Sequence, residues 1–145
     1  MNIIILIPVF NDFQSVSKLI NEIDSNINNL DPSFSVVIIN DASTEKKNLE
    51  ILNFNKIDSL KVINMRKNKG HARCIASGLK YILENEEFDY IIPMDGDGED
   101  RPEEIKNFVE KIEDNSNFTI VGERVKRSES FIFKFCYFLH KIITF

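Results

Sequence analysis

The sequence predicts an α/β domain: a mostly parallel sheet with helices on both faces. Three observations carry this expectation. Short apolar runs rich in β-branched residues alternate along the chain with stretches whose apolar residues recur at helical spacing. The apolar runs show no in–out alternation, as expected for strands buried on both faces. Polar clusters follow three of those runs: Asn11-Asp12, Asn40-Asp41 and Asp95-Gly96-Asp97. In a parallel sheet they would share the rim at the carboxyl ends of the strands, where such folds bind ligands.

In chain order, Ile3–Ile7 predicts the first strand, and Pro8 to Asp12 a loop. Val16, Leu19, Ile20, Ile23 and Ile27 predict a helix over about 15–29, with Asp12 or Ser15 as its N-cap. Asp31-Pro32-Ser33 breaks it. Val36–Ile39 predicts a second strand, residues 46–53 a short helix, and Lys61–Asn64 a third strand. Ala72, Ile75, Ala76, Leu79, Ile82 and Leu83 mark the next helix, and Tyr90–Met94 a fourth strand. Pro102 suits the first turn of a helix carrying Ile105, Phe108, Val109 and Ile112, before a fifth strand at Phe118–Val121. The expected division is a domain over 1–129 and an apolar tail helix over 130–145. In the tail, Phe131, Phe135, Phe138, Leu139 and Ile142 share one helical face, and Lys134 and Lys141 another.

The 145 residues suffice for one core, and 43% hydrophobic with 28% charged residues is an ordinary globular balance. The net charge of -5 is unevenly spread. The acidic stretch from Glu84 to Asp114 argues against nucleic acid as the main partner. The basic, aromatic end of the chain suits an anionic membrane surface. Cys74 and Cys136 lack metal spacing and read as reduced packing residues. The first apolar run has no basic region before it and meets Pro8 at once, so it reads as a strand rather than a signal peptide. No run of about 20 apolar residues is present, so a membrane-spanning helix is not expected.

The segment Met94-Asp95-Gly96-Asp97-Gly98-Glu99-Asp100 is the strongest chemical signal. Four carboxylates within six residues repel one another, and a cation relieves that repulsion. Hard oxygen ligands suit Mg²⁺ or Mn²⁺, with Mg²⁺ shared between one or two carboxylates and substrate phosphates. Gly96 lets backbone come close to a ligand. A solvated acidic turn ahead of Pro102 is the plainer alternative. In Ile7-Pro8-Val9-Phe10-Asn11-Asp12, Pro8 fixes a turn and Phe10 offers a flat face, although a helix-capping loop has the same makeup. Asn68-Lys69-Gly70-His71 opens a helix whose free N–H groups suit an anion, with His71 most simply an exposed first-turn residue.

Taken together, these segments resemble family 2 glycosyltransferases, especially the dolichyl- and undecaprenyl-phosphate sugar transferase branch. The matching segments are Pro8-Val9-Phe10-Asn11-Asp12, Asn40-Asp41-Ala42-Ser43, Gly70 to Gly78, Met94 to Glu103, and Gly122-Glu123-Arg124-Val125-Lys126-Arg127. The resemblance implies a GT-A fold and an inverting, hexosyltransferase-like sugar transfer from a nucleotide-diphosphate sugar. Asp95 and Asp97 would then be the catalytic pair, holding Mg²⁺ or Mn²⁺ with Glu99 as a further ligand. Pro8, Phe10, Asp12, Asp41, Gly96 and Arg124 would bind the donor. A polyprenyl phosphate or a glycan would be the acceptor, and the protein would work in the cytoplasm, at the inner face of the membrane. Asn40 stands where the family has Asp, so altered base recognition is expected. Family members continue well beyond this length, so the chain is expected to hold the donor half only. A non-catalytic nucleotide-sugar or metal binder is the alternative from another class. Another Mg²⁺-dependent phosphate enzyme is a third, but the Thr/Ser and Lys set it needs is not found.

Overall fold

A computed structural model describes residues 1–45, 54–114 and 119–122 of the chain. The chain divides into two units, Met1–Asp114 and Asn115–Phe145. The first unit contains β1 (Asn2–Val9), α1 (Phe13–Ile27), β2 (Ser33–Asn40), β3 (Ile57–Asn64), α2 (His71–Asn85), β4 (Tyr90–Pro93), a 3-10 turn (Pro102–Glu104) and α3 (Ile105–Asp114). Of the second unit, residues 119–122 are described and carry no regular secondary structure. The expected fifth strand is therefore absent from 119–121, and Phe118 lies outside the described residues. The expected helix over 46–53, the boundary after residue 129 and the tail helix lie outside them too. Among the described residues, no helix is long and apolar enough to cross a membrane.

The four strands form one parallel sheet in the order β3-β2-β1-β4. The chain winds outward from β1 to β3, then returns through α2 to place β4 on the other side of β1. That reversal makes the carboxyl ends of β1 and β4 the switch point where ligands bind in such sheets.

Every residue of β1 from Ile3 to Val9 is buried, because both faces are covered. Ile4 and Leu6 join Val37 and Ile39 of β2 with Cys74 and Ile82 of α2 in one core cluster. The intervening residues, Ile3, Ile5, Ile7, Val36 and Ile38, point to the opposite face. There α1 packs on β1, and α3 packs on α1. Gly78 brings α2 down tightly onto the sheet: a Cβ at this position would stand 2.6 Å from Ile39 Cγ1 and from Leu6 Cδ1.

Three strands are longer than the apolar runs predict, β1 running from Asn2 through Pro8 to Val9. β2 starts at Ser33 because its ladder with β1 begins at the Asn2–Ser33 pair, and its Ser33 N–H donates to the Met1 carbonyl. β3 starts at Ile57 because, as an edge strand, it accepts Asp58 and Ser59 in its ladder. Its start is held from α1. Asp24 is 5% exposed, and its carboxylate accepts N–H bonds from Asn55, Lys56 and Ile57, each at 2.9 Å. Burial alone would raise the pKa of Asp24. The N–H donors outweigh burial and hold it below the ordinary carboxylate value.

Candidate functional site

A cavity of about 240 Å³ opens at the carboxyl end of the sheet. Pro8, Val9 and Phe10 from β1 and its loop form one wall, and Asp41 lies at the end of β2. Asn68, Gly70, His71 and Cys74, from the entry and first turn of α2, complete it. Phe10 is 49% exposed, an unusual placement for a phenyl ring, and leaves an aromatic face on the wall.

Asp41 is the buried acid of this cavity, 3% exposed. One of its oxygens accepts the Lys69 N–H and the other the Gly70 N–H, both at 2.8 Å. Asp41 thereby pins the loop that leads into α2, where Gly70 takes a left-handed φ of 84°. Each oxygen keeps a second lone pair for another donor. Cys74 donates its thiol to the Ile39 carbonyl at 3.3 Å, and burial pushes its pKa up to about 11, so it is an inert packing group. A wider groove of about 510 Å³ runs beside β3, lined by Asn64, Met65, Arg66, Lys67 and Lys69. Among the described residues, no ion pair joins its basic rim to the acidic loop as His71 joins the smaller cavity.

His71 Nε2 lies 3.3 Å from a carboxylate oxygen of Asp95, so the cavity rim touches the acidic loop after β4. The loop is folded by its own side chains. Asp100 accepts the Asp95 N–H at 2.8 Å, Asp97 accepts the Glu99 N–H at 2.9 Å, and Gly98 turns the chain at φ 82°. Gly96 is packed beneath: a Cβ there would stand 2.8 Å from Val16 Cγ2 and 3.2 Å from the Pro8 carbonyl oxygen. Partial burial raises the pKa of Asp95 most, His71 opposes that, and Asp100, Asp97 and Glu99 add repulsion. A cation would relieve both the burial and the crowding.

Among the described residues, no three His, Cys, Asp or Glu side chains converge as a ready-made metal cage. The donor chemistry fits a hard divalent ion held by Asp95 and Asp97 and completed by ligand phosphates, the arrangement Mg²⁺ commonly takes. Glu99 contributes its backbone N–H to Asp97 in this loop.

The sequence model of Glycosyl transferase family 2 matches residues 4–135, nearly the whole chain. This chain belongs to glycosyl transferase family 2. An uncharacterized protein of Methanocaldococcus jannaschii is 28% identical over 123 residues, covering 83% of this chain and 51% of that one. A dolichol-phosphate mannosyltransferase of Pyrococcus furiosus is 25% identical over 126 residues, covering 87% of this chain and 34% of that one. The chain thus spans about half the length of the first relative and a third of the second. Among solved structures, S. aureus TarS 1-349 in complex with UDP matches with a TM-score of 0.60 at 22% identity, over 88% of this chain and 39% of that one. At that identity the likeness speaks for the fold, which is GT-A.

Within this family 2 chain, the fold brings Pro8, Phe10 and Asp41 to one cavity and sets Asp95 against its rim. Asp12 stands apart from the cavity lining. It is the N-cap of α1, accepting the Ser15 N–H at 3.1 Å, which also explains why α1 begins at Phe13 rather than Ser15. Arg124 lies outside the described residues. Asn40, at 4% exposure, turns its amide away from the cavity: Nδ2 donates to Asn64 Oδ1, and Oδ1 accepts the Ser43 N–H. His71 is the exposed first-turn residue the sequence suggests and also reaches Asp95. Asn11, which the sequence marks only as part of the Pro8–Asp12 segment, accepts N–H bonds from Thr44 and Glu45.

Proposed function

We propose that this chain is the donor-binding half of a sugar transferase that uses a nucleotide-diphosphate sugar. The observation that carries the reading is the adjacency of two features. A cavity walled by Phe10 and Asp41 opens beside a carboxylate loop, with His71 touching Asp95 across the join. A nucleoside diphosphate needs that pairing: a cavity for base and ribose, then an anchor for phosphates. Phe10 offers its ring to the base, and Asp41 offers its remaining lone pairs to a base or ribose donor. Asp95 and Asp97 would hold Mg²⁺ or Mn²⁺ against the diphosphate, with Arg124 assigned to the phosphates by the family resemblance. When bound, the metal neutralises charge that builds on the departing diphosphate. Gly96 keeps the acidic loop close to the end of β1, so the two parts of the site stay together.

The UDP bound to TarS supports a nucleotide-sugar donor, and the dolichol-phosphate mannosyltransferase relative supports a polyprenyl-phosphate acceptor. Such an acceptor is already an anion and needs no general base to activate it. Work on it would set the protein at the cytoplasmic face of a membrane, with residues 1–129 binding donor and 130–145 lying against lipid.

The test is a calorimetric titration of the chain with UDP, GDP, CDP and ADP, each with and without Mn²⁺. One of the four binds, and Mn²⁺ tightens it by about tenfold or more. Asp97→Asn removes most of that gain. Binding that ignores the metal, in wild type and variant alike, refutes the assignment of the acidic loop.

A further inference from the structure

The two loops that wall the cavity are joined behind it by one side chain. The β1–β2 ladder ends with the Asp41 N–H donating to the Val9 carbonyl at 2.9 Å. That bond ties the Val9–Phe10 peptide to Asp41, and among the described residues the ladder between the two loops ends there. Asn11 takes over. Its N–H donates to Ser43 Oγ at 2.9 Å. Its Oδ1 accepts the Thr44 N–H at 2.8 Å, the Thr44 hydroxyl at 3.3 Å and the Glu45 N–H at 3.3 Å. The stitch continues inward, because the Ser43 N–H donates to Asn40 Oδ1 and the Asn40 amide donates to Asn64 Oδ1, each at 2.9 Å. One hydrogen-bonded line thus crosses the carboxyl ends of β1, β2 and β3.

The backbone is shaped for this line. Asn11 and Ala42 both hold left-handed φ angles, 54° and 57°, in the two facing loops. Non-glycine residues stay in that region when their surroundings hold them there, and such positions cluster at ligand sites. Asn is among the residues that tolerate it best. Asn11 itself is not part of the cavity lining. Its neighbour Phe10 is, half exposed.

We propose that Asn11 is a positioning residue for the donor: it cross-links the β1 and β2 loops so that Phe10 and Asp41 keep a fixed spacing across the cavity. This rests on the donor-binding reading above. A wall set in place before the ligand arrives spares the complex the cost of ordering it, and that difference appears as affinity. The effect belongs to the base and ribose side, so it is independent of the metal loop.

Two substitutions separate the side chain from the turn. Asn11→Gly suits φ 54° and removes the side-chain amide bonds, leaving the backbone N–H for Ser43 on a freer backbone. Asn11→Asp tolerates the same φ and keeps an acceptor oxygen for the Thr44 and Glu45 donors. Asp24→Asn is the stability control, because Asp24 acts at the start of β3, on the opposite rim of the sheet. The measurements are titration with whichever of UDP, GDP, CDP and ADP the wild type binds, with and without Mn²⁺, and thermal unfolding of each variant. We expect Asn11→Gly to weaken that nucleotide by about tenfold, by the same factor with and without Mn²⁺. Asn11→Asp restores affinity to within about twofold of wild type, and Asp24→Asn, though less stable, binds as wild type does. Wild-type affinity in Asn11→Gly overturns the proposal, as does an equal loss in Asp24→Asn, which would make the effect one of stability alone. A wild-type chain that binds none of UDP, GDP, CDP and ADP overturns the donor reading itself, and this inference with it.

Discussion

Replacing Asp24 should unfold the start of β3 more readily and should change how the protein responds to acid. The carboxylate is 5% exposed and is the acceptor for three consecutive backbone N–H groups, at 2.9 Å each. In Asp24→Ala all three lose their partner. The Ile57 N–H is buried, and a buried donor left without a partner costs about 1–3 kcal/mol. The Asn55 and Lys56 N–H groups are part-buried and partly regain water, so each loses about 0.5–1.5 kcal/mol. The sum is about 2–6 kcal/mol, a large share of the ~5–15 kcal/mol that stabilises an ordinary domain. Asp24→Asn keeps one oxygen for Lys56 and Ile57 but turns an amide NH₂ toward the Asn55 N–H, so about 1–2 kcal/mol is expected.

The pH dependence follows from the direction of the shift. Asp24 titrates below the ordinary aspartate value of about 3.9 in the folded chain. A depressed folded pKa contributes stability that is fully present above the unfolded value and is lost as pH falls through the folded one. The gap between wild type and Asp24→Asn should therefore stay constant from pH 8 to 6 and narrow below about pH 4. Urea unfolding followed by far-UV circular dichroism at pH 7 and pH 3 measures both effects. An Asp24→Ala variant within about 1 kcal/mol of wild type at pH 7 would refute the hydrogen-bond argument. A gap equally wide at pH 3 would refute the linkage.

Two further outcomes are expected. Gly78→Ala adds a methyl group 2.6 Å from two fully buried side chains, Leu6 and Ile39. The overpacking outweighs the helix-propensity gain and lowers stability by about 1–2 kcal/mol, readable as a drop in Tm, and a rise in Tm would show that the sheet yields at that point. Binding to anionic vesicles in a flotation assay should be lost on deleting residues 130–145 and weakened by salt, from the aromatic and basic faces read in that segment, whereas a chain that ignores such vesicles at low salt contradicts the membrane assignment.

The legible parts of this molecule are those where one residue type serves one purpose. β1 and β2 could be read from Ile3–Ile7 and Val36–Ile39 because strands covered on both faces must be apolar throughout. α2 could be read from its spacing, although Leu83 in that pattern proves 69% exposed. β3 was found only in its second half, because an edge strand tolerates Asp58 and Ser59 where a central strand would not. Asp24 was invisible for a different reason. An acid between Ile23 and Ser25 reads as a solvated helix position, and its N–H donors lie more than thirty residues further on.

The same distinction runs through the candidate site. The carboxylates after β4 stand out in the sequence, four acids within six residues, and in the fold Asp97 and Asp100 also close their own loop. The amides do not, because Asn serves turns, caps and ligands equally well. Asn40 is the instructive case. From the sequence it is a departure from the family turn that should alter base recognition. In the fold its amide donates to Asn64 and accepts from Ser43, and an aspartate in that orientation would face the Asn64 carbonyl oxygen with no proton to give. Asn40 is not in the cavity lining, so any effect of the exchange on the proposed site would pass through the loop it holds, by way of Ser43 and Asn11. On the proposed donor reading, Phe10 and Asp41 would be the touching groups, and the line of uncharged amides from Asn11 through Asn40 to Asn64 would fix the distance between them.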